Sequence, residues 1–414
     1  MYRSVSCFIL FLAACSTENN PPGLRGVSGV PNNETFKLQF TCAHEKIPKA
    51  RNEIEVIFLY ARWLQKSNQL KRDAKIYAEV ERLYRISAEQ GHYKANINLQ
   101  NGSMRGYFKL RGAEHLRLSA ELIEVKLATG YLFVGYFLEQ GSAGLRKDPE
   151  MALRYTRKAA DEGNAQAQYD IAEKLAPINI HPDIARQMRL CAAEQGHGKA
   201  AVALGVNLQT KGLYPEAVEA FQLGVAAGYE GAVGYLDEGY RGPASTDELH
   251  YLGLEKDLER AQRYNKIWRI LSGYSYASPK VPEINDIVPL PPAKLPPWDG
   301  KLQWLEERLA NVPPEKPSEA LIQRLAKEKL LDPATGRPLS ASPFVDHRWP
   351  KRSRRPRRTG PGKDATLTCT APCADSTGRQ IDALGDCLFE LDPCSLHFSC
   401  DPGLSESSAF GTTR

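Results

Sequence analysis

Residues 158–171, KAADEGNAQAQYDI, decide the fold, because close copies of their first half stand elsewhere in the chain. These copies are ISAEQG at residues 86–91 and CAAEQG at residues 191–196, and each ends on a glycine. Further glycines extend the series to Gly91, Gly130, Gly163, Gly196, Gly228 and Gly273, with separations of 39, 33, 33, 32 and 45 residues. A period of about 20 to 50 residues indicates a repeat architecture.

Each of these glycines is predicted to end a helix, where a left-handed backbone favours glycine. The positions four residues further on are Ala95, Val134, Ala167, Ala200 and Ala232, and those eight residues further on are Leu99, Leu138, Ile171, Leu204 and Leu236. Both positions share one face of the following helix. No helix pair can bury that face alone, so the pattern predicts an all-α fold in which helix pairs stack into a solenoid.

The same residues resemble the Sel1-like repeat, a relative of the tetratricopeptide repeat. The best match starts with LEQG at residues 138–141 and ends with AADEG at residues 159–163, and a second starts with LDEG at residues 236–239. The resemblance covers about residues 75–275. It implies an α-α solenoid that binds other macromolecules, and it is unspecific about function.

The amino terminus has the parts of a bacterial export signal, namely one positive charge, a short apolar stretch and small residues. LAAC at residues 12–15 resembles the lipobox of bacterial lipoproteins. The resemblance implies that Cys15 is acylated and anchors the chain to the envelope, facing the periplasm, and Ser16 favours the outer membrane. The alternative is a plain apolar start followed by an unrelated cysteine.

These features divide the chain into six parts: a signal peptide (1–14), a tether (15–35), an N-terminal cap (36–74), the Sel1-like repeats (75–278), a Pro-rich C-terminal domain (279–340) and a basic, Cys-rich tail (341–414). In the cap, residues 36–40 alternate as a short strand does, whereas residues 54–64 have helical spacing.

The Pro-rich domain is predicted to contain an extended strap and two short helices. Asp299 is expected to cap a helix over about residues 300–311, and Ser318 a helix that continues to about Leu331. The strap either presents a peptide to a partner or packs on the last repeats. The segment resembles an uncharacterised C-terminal domain of some proteobacterial Sel1-like lipoproteins.

Cysteine and charge patterns separate the tail from the rest. Cys42 and Cys191 stand alone, so we expect a body without disulfides, while five cysteines crowd residues 369–400. Residues 347–358 hold seven positive charges, which indicate either a site for anionic lipid or a solvated linker. The rest of the chain has no basic excess that favours nucleic acid as a ligand. The tail is expected to be disordered, and its residues 359–414 are either part of the working protein or a non-native extension.

The sequence contains no GxSxG, HExxH, P-loop or GxGxxG motif, so we expect no enzymatic activity, no cofactor and no metal site. His92 and His197 each follow a repeat glycine and are expected to serve the repeat.

The Pro-rich domain makes the chain resemble immunity proteins of type VI secretion, which implies binding of a phospholipase effector. The alternatives are a general envelope scaffold or assembly factor, and a lipid- or glycan-binding lipoprotein.

Overall fold

The computed structural model describes residues 39–176 and 181–340. The two described stretches form fifteen α-helices and contain no β-strand; the helices are α1 (Asn52–Ser67), α2 (Ala74–Glu89), α3 (Tyr93–Met104), α4 (Gly112–Glu124), α5 (Ala128–Gln140), α6 (Pro149–Asp161), α7 (Ala165–Leu175), α8 (Pro182–Glu194), α9 (Gly198–Gln209), α10 (Tyr214–Ala226), α11 (Glu230–Tyr240), α12 (Leu258–Gly273), α13 (Ile284–Ile287), α14 (Gln303–Ala310) and α15 (Glu319–Glu328). None of these helices combines the length and apolar character that a membrane crossing needs. Cys15, the basic run and the five tail cysteines lie outside the described residues.

The first twelve helices pack in chain order, each against the next. They form six pairs, in which we call the odd-numbered helix the first helix and the even-numbered helix the second helix. Between neighbouring pairs, second helix also contacts second helix, as α8 contacts α10, and first helix contacts first helix, as α9 contacts α11. This stacking confirms the predicted all-α solenoid, and α1, from the predicted cap, supplies the first helix of the first pair.

The turns between successive pairs contain a residue in the left-handed region. Four of them use predicted glycines, with φ of +84°, +99°, +83° and +80° at Gly91, Gly163, Gly196 and Gly228. The turn before α5 uses Lys126 instead, at φ +61°. A non-glycine residue at this one turn explains why the glycine series misplaces its second member.

The sequence prediction differs from the structure at two glycines. Gly130 lies inside α5, and Gly273 is the last residue of α12 without a left-handed backbone. Gly130 occupies the position that Ala95, Ala167, Ala200 and Ala232 occupy in other first helices. A Cβ atom there would lie 2.6 Å from the carbonyl oxygen of Ser119, so the helices approach too closely even for alanine. The register predicted for α5 was therefore wrong by four residues.

The remaining repeat positions lie in helix contacts. Ala95, Ala167, Ala200 and Ala232 are completely buried, and Leu138, Leu204 and Leu236 are buried in the apolar clusters that fill the solenoid. After the shift in α5, Val134 occupies the position predicted for Leu138, which lies one helical turn further on. These residues thus fix the spacing of the pairs.

An extended N-terminal segment, residues 39–50, crosses the middle repeats without forming a strand. A disulfide joins Cys42 to Cys191 in α8, with 5.6 Å between the Cα atoms. The expectation of a body without disulfides was therefore wrong, because sequence spacing does not reveal a contact across 149 residues. The Glu45 backbone N–H also donates to the Gly163 carbonyl (3.1 Å), and its carboxylate accepts from Thr129 and Asn164.

The C-terminal segment, residues 279–340, runs from the last pair back to the first. At its start, the Val281 N–H donates to the Ala226 carbonyl (3.0 Å), and Leu302 is buried in the apolar cluster of the last pairs. At its end, α15 packs on α2, and Leu325 is buried in the cluster of the first pairs. The strap therefore packs on the repeats, and the segment as a whole closes the solenoid.

The two short helices of this segment begin differently from one another. Ser318 caps α15 as predicted, since its hydroxyl accepts from the Leu321 N–H at 3.2 Å. Asp299 does not cap α14, because its carboxylate accepts from the Lys301 N–H and the helix begins only at Gln303. Leu302 holds the N-cap position of α14 with its side chain buried, and the first N–H of the helix, that of Gln303, donates to the Glu283 carboxylate at 2.9 Å.

Candidate functional site

Two histidines predicted to serve the repeat are helix caps. The Nδ1 atoms of His92 and His197 accept the backbone N–H of Ala95 and Ala200, each at 3.1 Å. Because Nδ1 accepts, the proton of each neutral ring is on Nε2, which lies 3.0 Å from Glu55 and 2.9 Å from Gln166 respectively. Burial lowers the pKa of both imidazoles, and that of His197 to about 4. Both rings are uncharged at neutral pH.

A half-buried polar and aromatic surface extends from α5 to α11. We call it the tyrosine face and define it as Tyr136, Gln166, Tyr169, Asp170, His197 and Tyr229. It is continuous, because Asp170 accepts from the Tyr136 hydroxyl (3.2 Å) and from Gln166 (2.7 Å), the ring centroids of Tyr169 and His197 are 4.7 Å apart, and the Tyr229 side chain lies against Gly198, the first residue of α9. Four successive first helices or their caps contribute to this surface.

Burial sets the charge of the tyrosine face. It raises the pKa of Tyr169 to about 12, with the nearby Glu173 carboxylate adding to the effect. Burial also raises the pKa of Asp170, against the hydrogen bonds from Gln166 and Tyr136, which lower it. The face thus offers neutral hydroxyl groups and aromatic rings, which are enriched in the centres of protein interfaces.

A second surface feature lies where the C-terminal segment meets the first pair. This closure cleft has a volume of about 560 Å³ and lies between α1 and α14. Its walls include Trp63, Lys66, Leu70, Trp304, Leu309 and Val312. The sequence analysis did not find it, because its two walls lie more than 200 residues apart.

One group of side chains has the composition of a metal site. Ligand atoms of Cys42, His44 and Cys191 lie within 4.8 Å of one another. The disulfide engages both sulfurs, and a thiolate is the form of cysteine that binds metal. This group is therefore a covalent crosslink with a neighbouring imidazole.

The predicted site residues do not converge on one site. The repeat glycines, alanines and leucines are spread along the solenoid in turns and helix contacts.

Residues 128–164, which form α5, α6 and their connections, match the family model of the Sel1 repeat. The chain carries a Sel1 repeat.

A second family model matches the C-terminal part of the described chain. Residues 232–339 match a domain of unknown function, DUF6396. The match begins in α11 and continues almost to the end of the C-terminal segment. The last helix pair thus belongs both to the solenoid and to this domain. No curated protein matches the chain.

Solved structures include similar folds. PA5086 of Pseudomonas aeruginosa is 22% identical and covers 61% of this chain and 95% of its own, with a TM-score of 0.47. The immunity protein Pa5087 of the same organism is 21% identical over 61% and 95%, with a TM-score of 0.48. A Sel1 repeat protein from Oxalobacter formigenes is 22% identical over 53% and 97%, with a TM-score of 0.36.

Proposed function

We propose that this chain is a protein-binding module without catalytic activity, and that its partner docks on the tyrosine face. The observation that carries the proposal is the continuity of this face across α5, α7 and the first turns of α9 and α11. Tyrosine combines a large contact area with a hydroxyl group and little conformational entropy, which makes it effective in binding hot spots. A stacked solenoid provides such residues along an extended surface.

The hydrogen bonds of the face support a binding role over a catalytic one. Asp170 accepts from two neighbours, and the Nδ1 atom of His197 is occupied as a helix cap. A general base needs a free lone pair within reach of the proton it removes. The neutral His197 ring has no free acceptor, because Nδ1 accepts from Ala200 and Nε2–H donates to Gln166, and the Asp170 carboxylate is held by the two hydrogen bonds that it accepts.

The finer proposal is a lipid-anchored periplasmic protein that neutralises a phospholipase effector of type VI secretion. Its support is the lipobox at Cys15 together with the Cys42–Cys191 disulfide, because disulfides persist in oxidising compartments such as the periplasm. An anchor in the outer membrane would hold the binding face in the compartment where such an effector arrives.

The test is binding to, and inhibition of, a lipase effector encoded beside the gene. Wild type is expected to bind it stoichiometrically, to block its phospholipase activity and to hydrolyse no phospholipid itself. Tyr169→Ala should weaken binding at least tenfold, a loss typical of a hot-spot side chain. Tyr107→Ala is the matched control, since Tyr107 is exposed and lies outside the face.

Equal affinities of the two variants would contradict the assignment of the face. Absence of any binding to the lipase would contradict the effector proposal itself. Anchoring is tested separately: labelled fatty acid should be incorporated into wild type and not into Cys15→Ser. Equal labelling of the two would exclude acylation at this residue.

A further inference from the structure

The closure cleft carries the most exposed apolar side chains of the described residues. Val312, Leu70 and Leu309 are 75%, 68% and 67% exposed, more than any other large apolar residue there, and all three line this one cleft. Single exposed apolar residues are ordinary on protein surfaces, whereas a cluster marks an interaction site. Trp63 and Trp304 lie in the same walls.

Side-chain contacts join the two walls of the cleft. Asn311 has a left-handed backbone at the end of α14 (φ +42°) and accepts a hydrogen bond from the Trp63 Nε1–H at 3.1 Å. Ser67 contacts the same amide oxygen at 3.4 Å. The end of α1 and the end of α14 are therefore fixed side by side, and Leu70 and Val312 follow directly after them.

Positive charge surrounds these apolar side chains. Lys66 and Lys71 line the cleft, as does Arg308, whose guanidinium lies 5.4–5.9 Å from the ring centroids of Tyr274, Tyr276 and Trp304. Among the described carboxylates, none forms an ion pair with these three cations, and Glu307 is the one acidic residue of the lining. Burial and the nearby Arg62 and Arg308 lower the pKa of Lys66, and Glu307 partly offsets them.

From this geometry we infer that the closure cleft is a docking surface for an anionic lipid membrane. Leu70, Leu309 and Val312 enter the interfacial layer, while Lys66, Lys71 and Arg308 contact the lipid phosphates. Exposed aliphatic side chains together with tryptophan and basic residues are the combination that binds membrane interfaces. These cations without an acidic partner among the described residues favour anionic headgroups. Each lysine or arginine near an anionic membrane surface increases the binding constant by a factor of about five.

This surface shares no residue with the tyrosine face or with the basic run at residues 347–358. It does not depend on the effector proposal. Docking here would determine which side of the solenoid faces the bilayer. An acyl chain on a tether would not fix that orientation. The two membrane contacts would act together, since stable anchoring takes two signals.

The experiment is sedimentation of the full chain with vesicles, in the Cys15→Ser background so that no acyl chain contributes. Vesicles of three parts phosphatidylcholine to one part phosphatidylglycerol are compared with vesicles of phosphatidylcholine alone. The parent protein should bind the anionic vesicles at least tenfold more tightly. Leu70→Ser/Leu309→Ser/Val312→Ser should reduce that binding at least tenfold, and Lys66→Gln/Lys71→Gln should reduce it by about twenty-five-fold.

Leu249→Ser/Leu258→Ser is the matched control, because these leucines are 57% and 50% exposed and lie outside the cleft. It should bind as the parent protein does, and circular dichroism should show the same helical content in every variant. Equal binding of the cleft variants and the parent would overturn the inference, because the apolar signal segment present in both would then account for it. Equal binding to neutral vesicles would also overturn it. Loss of effector binding by the cleft variants with unchanged vesicle binding would assign the cleft to a protein.

Discussion

The Cys42–Cys191 disulfide should contribute several kcal/mol to the free energy of unfolding. It closes a loop of 149 residues, and the chain-entropy relation gives about 5 kcal/mol for a loop of that length, against about 2–5 kcal/mol measured for native disulfides. Roughly 300 residues are described, so the entropy of unfolding is about 0.6 kcal/mol/K. Removal of the crosslink should therefore lower the melting temperature by about 3–8 °C.

The perturbation is Cys42→Ser, because Cys42 is exposed and its substitution removes no packing from the core. Thermal melts of the full chain are followed by circular dichroism with and without reductant. Wild type should lose stability on reduction and the variant should lose none beyond the effect of the tail cysteines. Cys42→Ser/Cys191→Ala controls for the buried thiol left behind.

The reasoning fails if oxidised wild type and Cys42→Ser melt within about 1 °C of each other. Alkylation in denaturant followed by peptide mapping gives an independent reading, because in the unfolded chain only paired cysteines resist modification before reduction. Wild type with both thiols alkylated would show that the two cysteines are not joined in the purified protein.

Three further predictions concern the caps and turns. The pKa of His197 is about 4 in the folded state and about 6.5 in the unfolded state, so the unfolded state binds more protons between these pH values. The free energy of unfolding should therefore fall by up to about 3 kcal/mol as the pH decreases through this window. His197→Asn keeps a capping side chain and should lose this pH dependence in urea titrations. Both Gly163→Ala and Gly196→Ala should cost about 1–2 kcal/mol, because both glycines have positive φ. Gly163→Ala should cost more, because only there would the new Cβ atom lie 2.7 Å from the Glu45 backbone nitrogen. Equal urea midpoints of the two variants would show that the N-terminal segment does not pack tightly on this turn. Ser318→Ala should cost about 1 kcal/mol by removing the cap of α15, and an unchanged rate of limited proteolysis within residues 311–330 would contradict this.

The sequence predicted the fold class because the repeat pattern is local. Four glycines, four alanines and the cap of α15 act within a few residues of their partners, so their spacing reports their role directly. The register of α5 failed because Lys126 adopts the left-handed backbone there and Gly130 serves a different purpose, close helix packing. A search by residue type alone cannot separate these two uses of glycine.

The features that depend on distant pairs were not predictable from one sequence. Cys42 meets Cys191, and Trp63 meets Asn311, only because the flanking segments fold back over the solenoid. The tyrosine face was missed for a related reason. His197 and Tyr229 share the N-cap position of two successive first helices, but Tyr136, Tyr169 and Asp170 lie at different positions within theirs, so no single period marks the whole face.

The return of residues 279–340 to the first helix pair also constrains how this protein can evolve. An open repeat array tolerates gain or loss of a unit, because each unit contacts only its neighbours. Here the Val281 contact with α10 and the Arg82 contact with Pro333 (2.6 Å) fix both ends of one connecting segment. An added pair would move these ends apart, and a deleted pair would leave the segment too long. Six pairs is therefore a number set by the span of the connector, and variation among relatives with this connector should fall in loop lengths and surface residues while the count of helix pairs stays the same.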